Sequence, residues 1–378
     1  MTYRRAVIPA LLGGVLLTAL LWWAGESAQA LRLQGATGTI GGRAAAELER
    51  WLVPWSYQPS AGTWAGGDVP GGPAGGDGAR YLALHETALQ IRFAAVFAFF
   101  VPGALLLIRR LPPVHGRMPA TLLAVWTWGI VAGTLAVTVS APWLIASYGH
   151  GSYRFLPQLA SVISAGRQIL VVTAPVAAAV AVFAARITAK GAGPLPREPV
   201  PARAARSAAT AGTAVIALSL VVLSYQQVAA AIQTAFPGGG LLAEPGDLLR
   251  QWLLLGAWSD PGGSGIDAWL LYRAADVLLL VVVWWALRLL PGLLTRATVP
   301  AMAAGAVCAT VLGLLASQLL RVATDGTGAP GGWPQLFATL GGGVPAALTC
   351  GLPAGIVAAV TLRAACRSSA PAAGPQAP

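Results

Sequence analysis

Few residues of this chain are equipped to do chemistry, and they fall into two groups. The first opens the stretch HETALQIR with His85 and Glu86, followed by Arg92. A histidine beside a carboxylate is a minimal proton-transfer pair. The second His that would complete a zinc-protease motif is missing. With Arg167, these residues make a candidate outer-face site. The second group is Asp276 with Arg273, three residues earlier and therefore on the same face of a helix. Asp276 interrupts an apolar run. An acid in hydrocarbon is costly and marks a proton or substrate path, unless a local pair neutralises it and merely locks packing.

The rest of the chain is poor in reactive groups. There is no G-x-S-x-G, no Walker A and no C-x-x-C, and the histidines are His85, His115 and His150 alone. Of Cys308, Cys350 and Cys366, the first two lie inside apolar runs. The expectation is a non-enzymatic protein with no catalytic residue, no metal and no cofactor.

What must position the two groups follows from composition. Of 378 residues, 56% are hydrophobic and only 10% are charged. Soluble domains carry about 25% charge. Runs of about 20 apolar residues cross a ~30 Å hydrocarbon core as helices, which satisfy their own backbone polar groups. Eight such segments occur, near 6–24, 91–108, 118–145, 167–185, 208–230, 270–287, 298–320 and 343–362. The expected fold is an all-α polytopic transmembrane bundle. With the N-terminus inside, the inner segments hold Arg4, Arg5, Arg109, Arg110, Arg117, Arg186, Lys190, Arg197, Arg203, Arg206, Arg288, Arg296, Arg363 and Arg367 against one acid, Glu198. This positive-inside bias places both termini in the cytoplasm. The net charge of +11 is then a topology signal, and no nucleic-acid partner is implied. Lys190 is the sole lysine, an arginine bias that points to a GC-rich bacterium and so to a bacterial cell membrane.

The chain also repeats itself. Gly149, Gly151, Pro157, Gln158, Leu159 and Gly166 recur as Gly326, Gly328, Pro334, Gln335, Leu336 and Gly343, at an offset of 177 (326 minus 149). Arg186 meets Arg363 at the same offset. Arg109, Leu111 and Pro112 meet Arg288, Leu290 and Pro291 at 179, and Leu48, Trp51 and Leu52 meet Leu249, Trp252 and Leu253 at 201. The Gly-rich stretch Pro59–Arg80 accounts for the difference as an insertion. The expected organisation is a first four-helix half over 1–190 with outer loop 25–90, a basic linker over 191–206, a second half over 207–367 with outer loop 231–269, and a disordered tail over 368–378. An even number of helices per copy makes the repeat parallel rather than inverted. Each outer loop carries an amphipathic stretch, RAAAELERWLVPW and LLRQWLLLGAW. These are expected to lie on the outer leaflet, with Trp51, Trp55, Trp252 and Trp258 as headgroup-level anchors.

The order of elements in each half, a helix, an outer segment and three more helices, resembles ABC permeases of the duplicated kind. The resemblance covers topology along the chain. It implies a transport role and a separate ATPase subunit docking on the inner turns Arg109–Arg117 and Arg288–Arg296. The outer domains of that family are much larger, and Arg109–Arg117 is shorter than its usual docking segment. A membrane scaffold, assembly or regulatory subunit is the alternative expectation, and an outer-face lipid-acting enzyme the third. The first segment also has the look of a signal peptide, with Arg4-Arg5 before it and Ala28-Gln29-Ala30 after it. Its apolar run exceeds the usual ~7–15 residue core of such signals, so it is read as retained.

Overall fold

Long runs of Ala, Leu and Val fold as helices wherever backbone polar groups cannot reach water. The computed structural model describes residues 3–31, 41–58, 77–113, 116–148, 159, 162–189, 200–224, 266–324 and 340–368. Among these residues all regular structure is helical. The first half contributes α1 (Tyr3–Ala30), α2 (Gly42–Leu52), α3 (Asp77–Arg110), α4 (Met118–Ser147) and α5 (Arg167–Thr188). The second contributes α6 (Ala202–Ser224), α7 (Ile266–Leu293), α8 (Val299–Thr324) and α9 (Val344–Ser368).

Seven of these helices are long and apolar enough to cross a membrane. Helix α6, at the place of the expected fifth crossing, is not among them. Arg203 and Arg206 occupy its first two turns, and 225–230 lie outside the described residues. The bundle surface is apolar: Ile8, Phe183, Leu218, Val281 and Val360 are each more than half exposed. Water would not tolerate so many uncovered aliphatic side chains on every helix, whereas lipid does. This is a multi-pass membrane protein.

The helices pack as two rings. Helix α1 packs on α3, α3 on α4, α4 on α5, and α5 back on α1. In the same order α6 packs on α7, α7 on α8, α8 on α9, and α9 back on α6. The rings meet chiefly through α4 and α8. Both are suited to that central place. Helix α8 is buried without a break from Ala301 to Val311, and Cys308 Sγ lies 3.4 Å from the Ala124 carbonyl of α4.

The two rings share some local features. Gly166 and Gly343 both take positive φ (72° and 78°) just before α5 and α9, a conformation open to glycine at little cost. Helices α4 and α5 approach closely at Gly129 and Ala174, and α8 and α9 at Val307 and Gly351. One expected correspondence differs: α3 stops at Arg110 before Pro112, while α7 runs through Pro291 to Leu293.

The alternating helix directions gather basic residues at one end. There Thr188 Oγ1 lies 3.3 Å from the Arg5 carbonyl, and Arg186 Nη1 3.3 Å from Met118 Sδ. The two turns at this basic end join each other. The Thr295 N–H donates to the Arg110 carbonyl (2.8 Å), and Arg117 Nη2 to the Gly292 carbonyl (3.2 Å). The candidate site residues lie at the far end.

Candidate functional site

The far end of the first ring is built around Arg92. Helix α2 turns Ala45 and Leu52 onto the protein and ends in a 3-10 turn, Val53–Trp55, which lies across α1 and the start of α5. Two glycines seat this turn. A Cβ at Gly25 of α1 would overlap the Trp55 carbonyl, and one at Gly166 would come within 2.7 Å of the Trp55 indole nitrogen. Trp55 Nε1 donates to the Gly166 carbonyl at 3.0 Å, and His85 Nε2 is 3.3 Å from the Ser56 carbonyl.

Beneath the turn Arg92 is 0% exposed. Its Nε donates to Ser140 Oγ of α4 at 2.8 Å, and Nη1 donates to the Pro54 carbonyl. The Trp55 ring covers the guanidinium at 5.6 Å, a cation–π contact. Nη2 is buried with no hydrogen-bond partner. Tyr148, at the end of α4, is close enough to feel this charge. Burial pushes its phenol above the ordinary value while Arg92 pulls it down.

The other members of the first group are spread around this centre. His85 is buried, but Glu86 is exposed on the outer side of α3. Arg167 follows Gly166, with its Nε buried and unpartnered. Its side chain lies against Gly341, where the second ring meets the first. Trp51 and Trp55, expected as headgroup anchors, are 4% and 0% exposed. The reason is that α2 turns its apolar face toward protein rather than lipid. Trp22 and Trp23 are exposed instead and match the aromatic belt. Trp252, Trp258 and the second amphipathic stretch lie outside the described residues.

The far end of the second ring holds Asp276 in a three-residue ion cluster. Arg273 Nη1 is 3.3 Å from Oδ2 along α7, and Arg321 Nη2 of α8 is 3.2 Å from Oδ1. Asp276 itself is buried. One turn before Arg321, the Gln318 amide brackets the turn leading into α9. Its Nε2 donates to the Gly342 carbonyl at 2.9 Å, and its Oε1 accepts from the Gly341 N–H at 3.1 Å. The pairing of Asp276 with Arg273 was legible in the spacing. Arg321, Gln318, Ser140 and Gly25 were not, because each meets its partner from another element of the chain.

An apolar groove of about 520 Å³ opens between α1 and α3, lined by Val15, Trp22, Tyr57, Phe93 and Phe97. It belongs to the first ring alone, facing lipid. Among the described residues no group of three or more His, Cys, Asp or Glu is placed to hold a metal ion. No family model, curated protein or solved structure matches the chain.

Proposed function

We propose that this chain is a transport-related, permease-like component of a bacterial cell membrane, with eight crossings arranged as a parallel duplication of one four-helix unit. The basic end is cytoplasmic, as are both termini, and α6 completes the second ring. The identical order of helix packing in the two rings supports the duplication. The observation that carries the transport reading is the presence, in a chain with 10% charged residues, of ionisable groups buried at the far end of each ring. Charges inside membrane helices are costly and cluster on substrate and ion paths.

A second reading has its own support. The basic-end turns, the natural docking surface for an ATPase, hydrogen-bond to each other. That favours a non-transporting scaffold, assembly or regulatory subunit. A lipid-acting enzyme at the far end is the weakest of the three, since Glu86 and His85 point to different surroundings.

Purification of the tagged protein from its own membranes in mild detergent, with mass spectrometry of what accompanies it, separates the first two. A stoichiometric ATPase supports the permease. Another membrane or cell-surface protein without an ATPase supports the scaffold. Under the permease reading, Asp276→Asn impairs function without lowering membrane abundance; unchanged function removes Asp276 from the transport path.

A further inference from the structure

Among the described residues, Arg92 is a cation buried without an anion. Every described group on it is neutral: the Ser140 hydroxyl, the Pro54 carbonyl and the Trp55 ring. Among the described residues no carboxylate is within ion-pair distance of it, whereas Asp276 has two such partners. Neutral acceptors and a π face return part of the cost of burying a charge, but an uncompensated ion stays expensive. A guanidinium does not escape by shedding its proton as a lysine does. The remaining donor, Nη2, is buried and unpaired, and leaving such a group unsatisfied adds its own cost.

The geometry says which kind of group completes the site and how it enters. Nε has spent its single N–H on Ser140, so the side-on fork that joins it to Nη2 is closed, while both Nη2 hydrogens have no protein acceptor among the described residues. What is left is an end-on approach to Nη2, which Nη1 joins once the turn carrying Pro54 lifts. The cover over it is the Val53–Trp55 turn, which is held on the site side by Trp55 to Gly166, His85 to Ser56 and Arg92 to Pro54. These are single polar contacts to carbonyl oxygens, each modest in net worth. We propose that Arg92 is the recognition residue of an oxyanion-binding site, taking one phosphate or carboxylate oxygen on Nη2, which opens when the Val53–Trp55 turn lifts from α1 and α5. The oxyanion has two sources. One is free in solution. The other is a lipid headgroup whose chain lies in the α1–α3 groove: there Tyr57 stacks on Phe93 (5.8 Å), and Phe93 meets Trp55 (6.0 Å). This inference concerns binding and stands whether or not the chain transports.

The test is thermal unfolding of the purified full-length protein in neutral detergent, at constant ionic strength in chloride. The probes are inorganic phosphate, acetate, and phosphatidylglycerol against phosphatidylcholine. The expected result is a saturable rise in Tm with at least one anionic probe, with apparent affinity falling by about tenfold or more in Arg92→Gln, as for loss of a charge-assisted hydrogen bond. A response to phosphate or acetate assigns a free anion, and a response to phosphatidylglycerol alone assigns a headgroup. No response to any anionic probe, or the same affinity in Arg92→Gln, overturns the site. Should Arg92→Gln fail to accumulate, Arg92→Lys keeps the charge but withdraws Nη2, and unchanged affinity in that variant overturns it equally.

Discussion

The two rings share a frame and bury charge in opposite ways. In the second, Asp276 is held between Arg273 and Arg321, so the acid is neutralised twice over. In the first, Arg92 rests on neutral groups beneath the Val53–Trp55 turn. Neither arrangement has a charged counterpart in the other ring. At the offset of 179, Asp276 corresponds to Phe97 and Arg92 to Leu271. Common packing therefore does not dictate a common site. The second ring's charges sit around a shared carboxylate, suited to fixing α7 on α8, while the first ring's guanidinium rests on neutral acceptors.

Deleting one charge on each side should give unequal outcomes. Asp276→Ala takes the shared carboxylate from two arginines. Removing one partner of a buried pair costs about 3–5 kcal/mol. Arg273 is 39% exposed and its share is screened by solvent, so the low end of that range is expected. Arg92→Met removes a charge that has no buried counter-ion among the described residues. It trades two hydrogen bonds for relief of desolvation, and is expected within about 1 kcal/mol of wild type. Thermal unfolding in detergent compares them. Equal losses would mean that Arg92 has a buried acid partner after all. Adding Arg321→Leu to Asp276→Ala should cost less than the sum of the single changes, since the two residues share one contact.

The Val53–Trp55 turn offers a smaller effect confined to the first ring. Gly25→Ala and Gly166→Ala each place a Cβ against Trp55 or Pro54, and crowding a packed contact costs about 1–3 kcal/mol. Displacement should show as faster labelling of a Ser56→Cys reporter by a membrane-impermeant maleimide. Ser56 is 3% exposed, so the starting rate is low. Gly343→Ala, at the equivalent position before α9, should leave that rate unchanged. A matching increase there would mean that the turn is coupled to the second ring.

The bundle was legible because hydropathy and charge are local properties. Apolar runs announce helices, and the arginines between them mark where the helices end. The site was legible only along single helices, as with Asp276 and Arg273 in one turn. Arg321 lies 45 residues from Asp276, and Pro54 lies 38 from Arg92, and no periodicity links such positions. Counting residues from Arg109 gives the depth of Arg92 in the bundle, about 25 Å along the helix. Depth does not give the side on which a residue faces. A residue at that level facing outward snorkels to headgroups; Arg92 faces α4 and the Val53–Trp55 turn, so it does not.

The finest comparison uses two serines that sit 177 apart (317 minus 140). Both are buried in the central helices and both donate to the carbonyl three residues earlier, Ser140 to Val137 and Ser317 to Leu314. They differ in one contact, because Ser140 Oγ also accepts from Arg92 Nε. Ser317→Ala removes a donor from a carbonyl already in a helix and should cost no more than about 0.5–1.5 kcal/mol. Ser140→Ala also strips an acceptor from a buried cation, and hydrogen bonds to charged groups are worth about 1.5–3 kcal/mol. The difference between the two substitutions isolates what the first ring spends on holding Arg92. If they prove equal, the guanidinium does not depend on Ser140, and the contrast between the rings shrinks to the missing carboxylate alone.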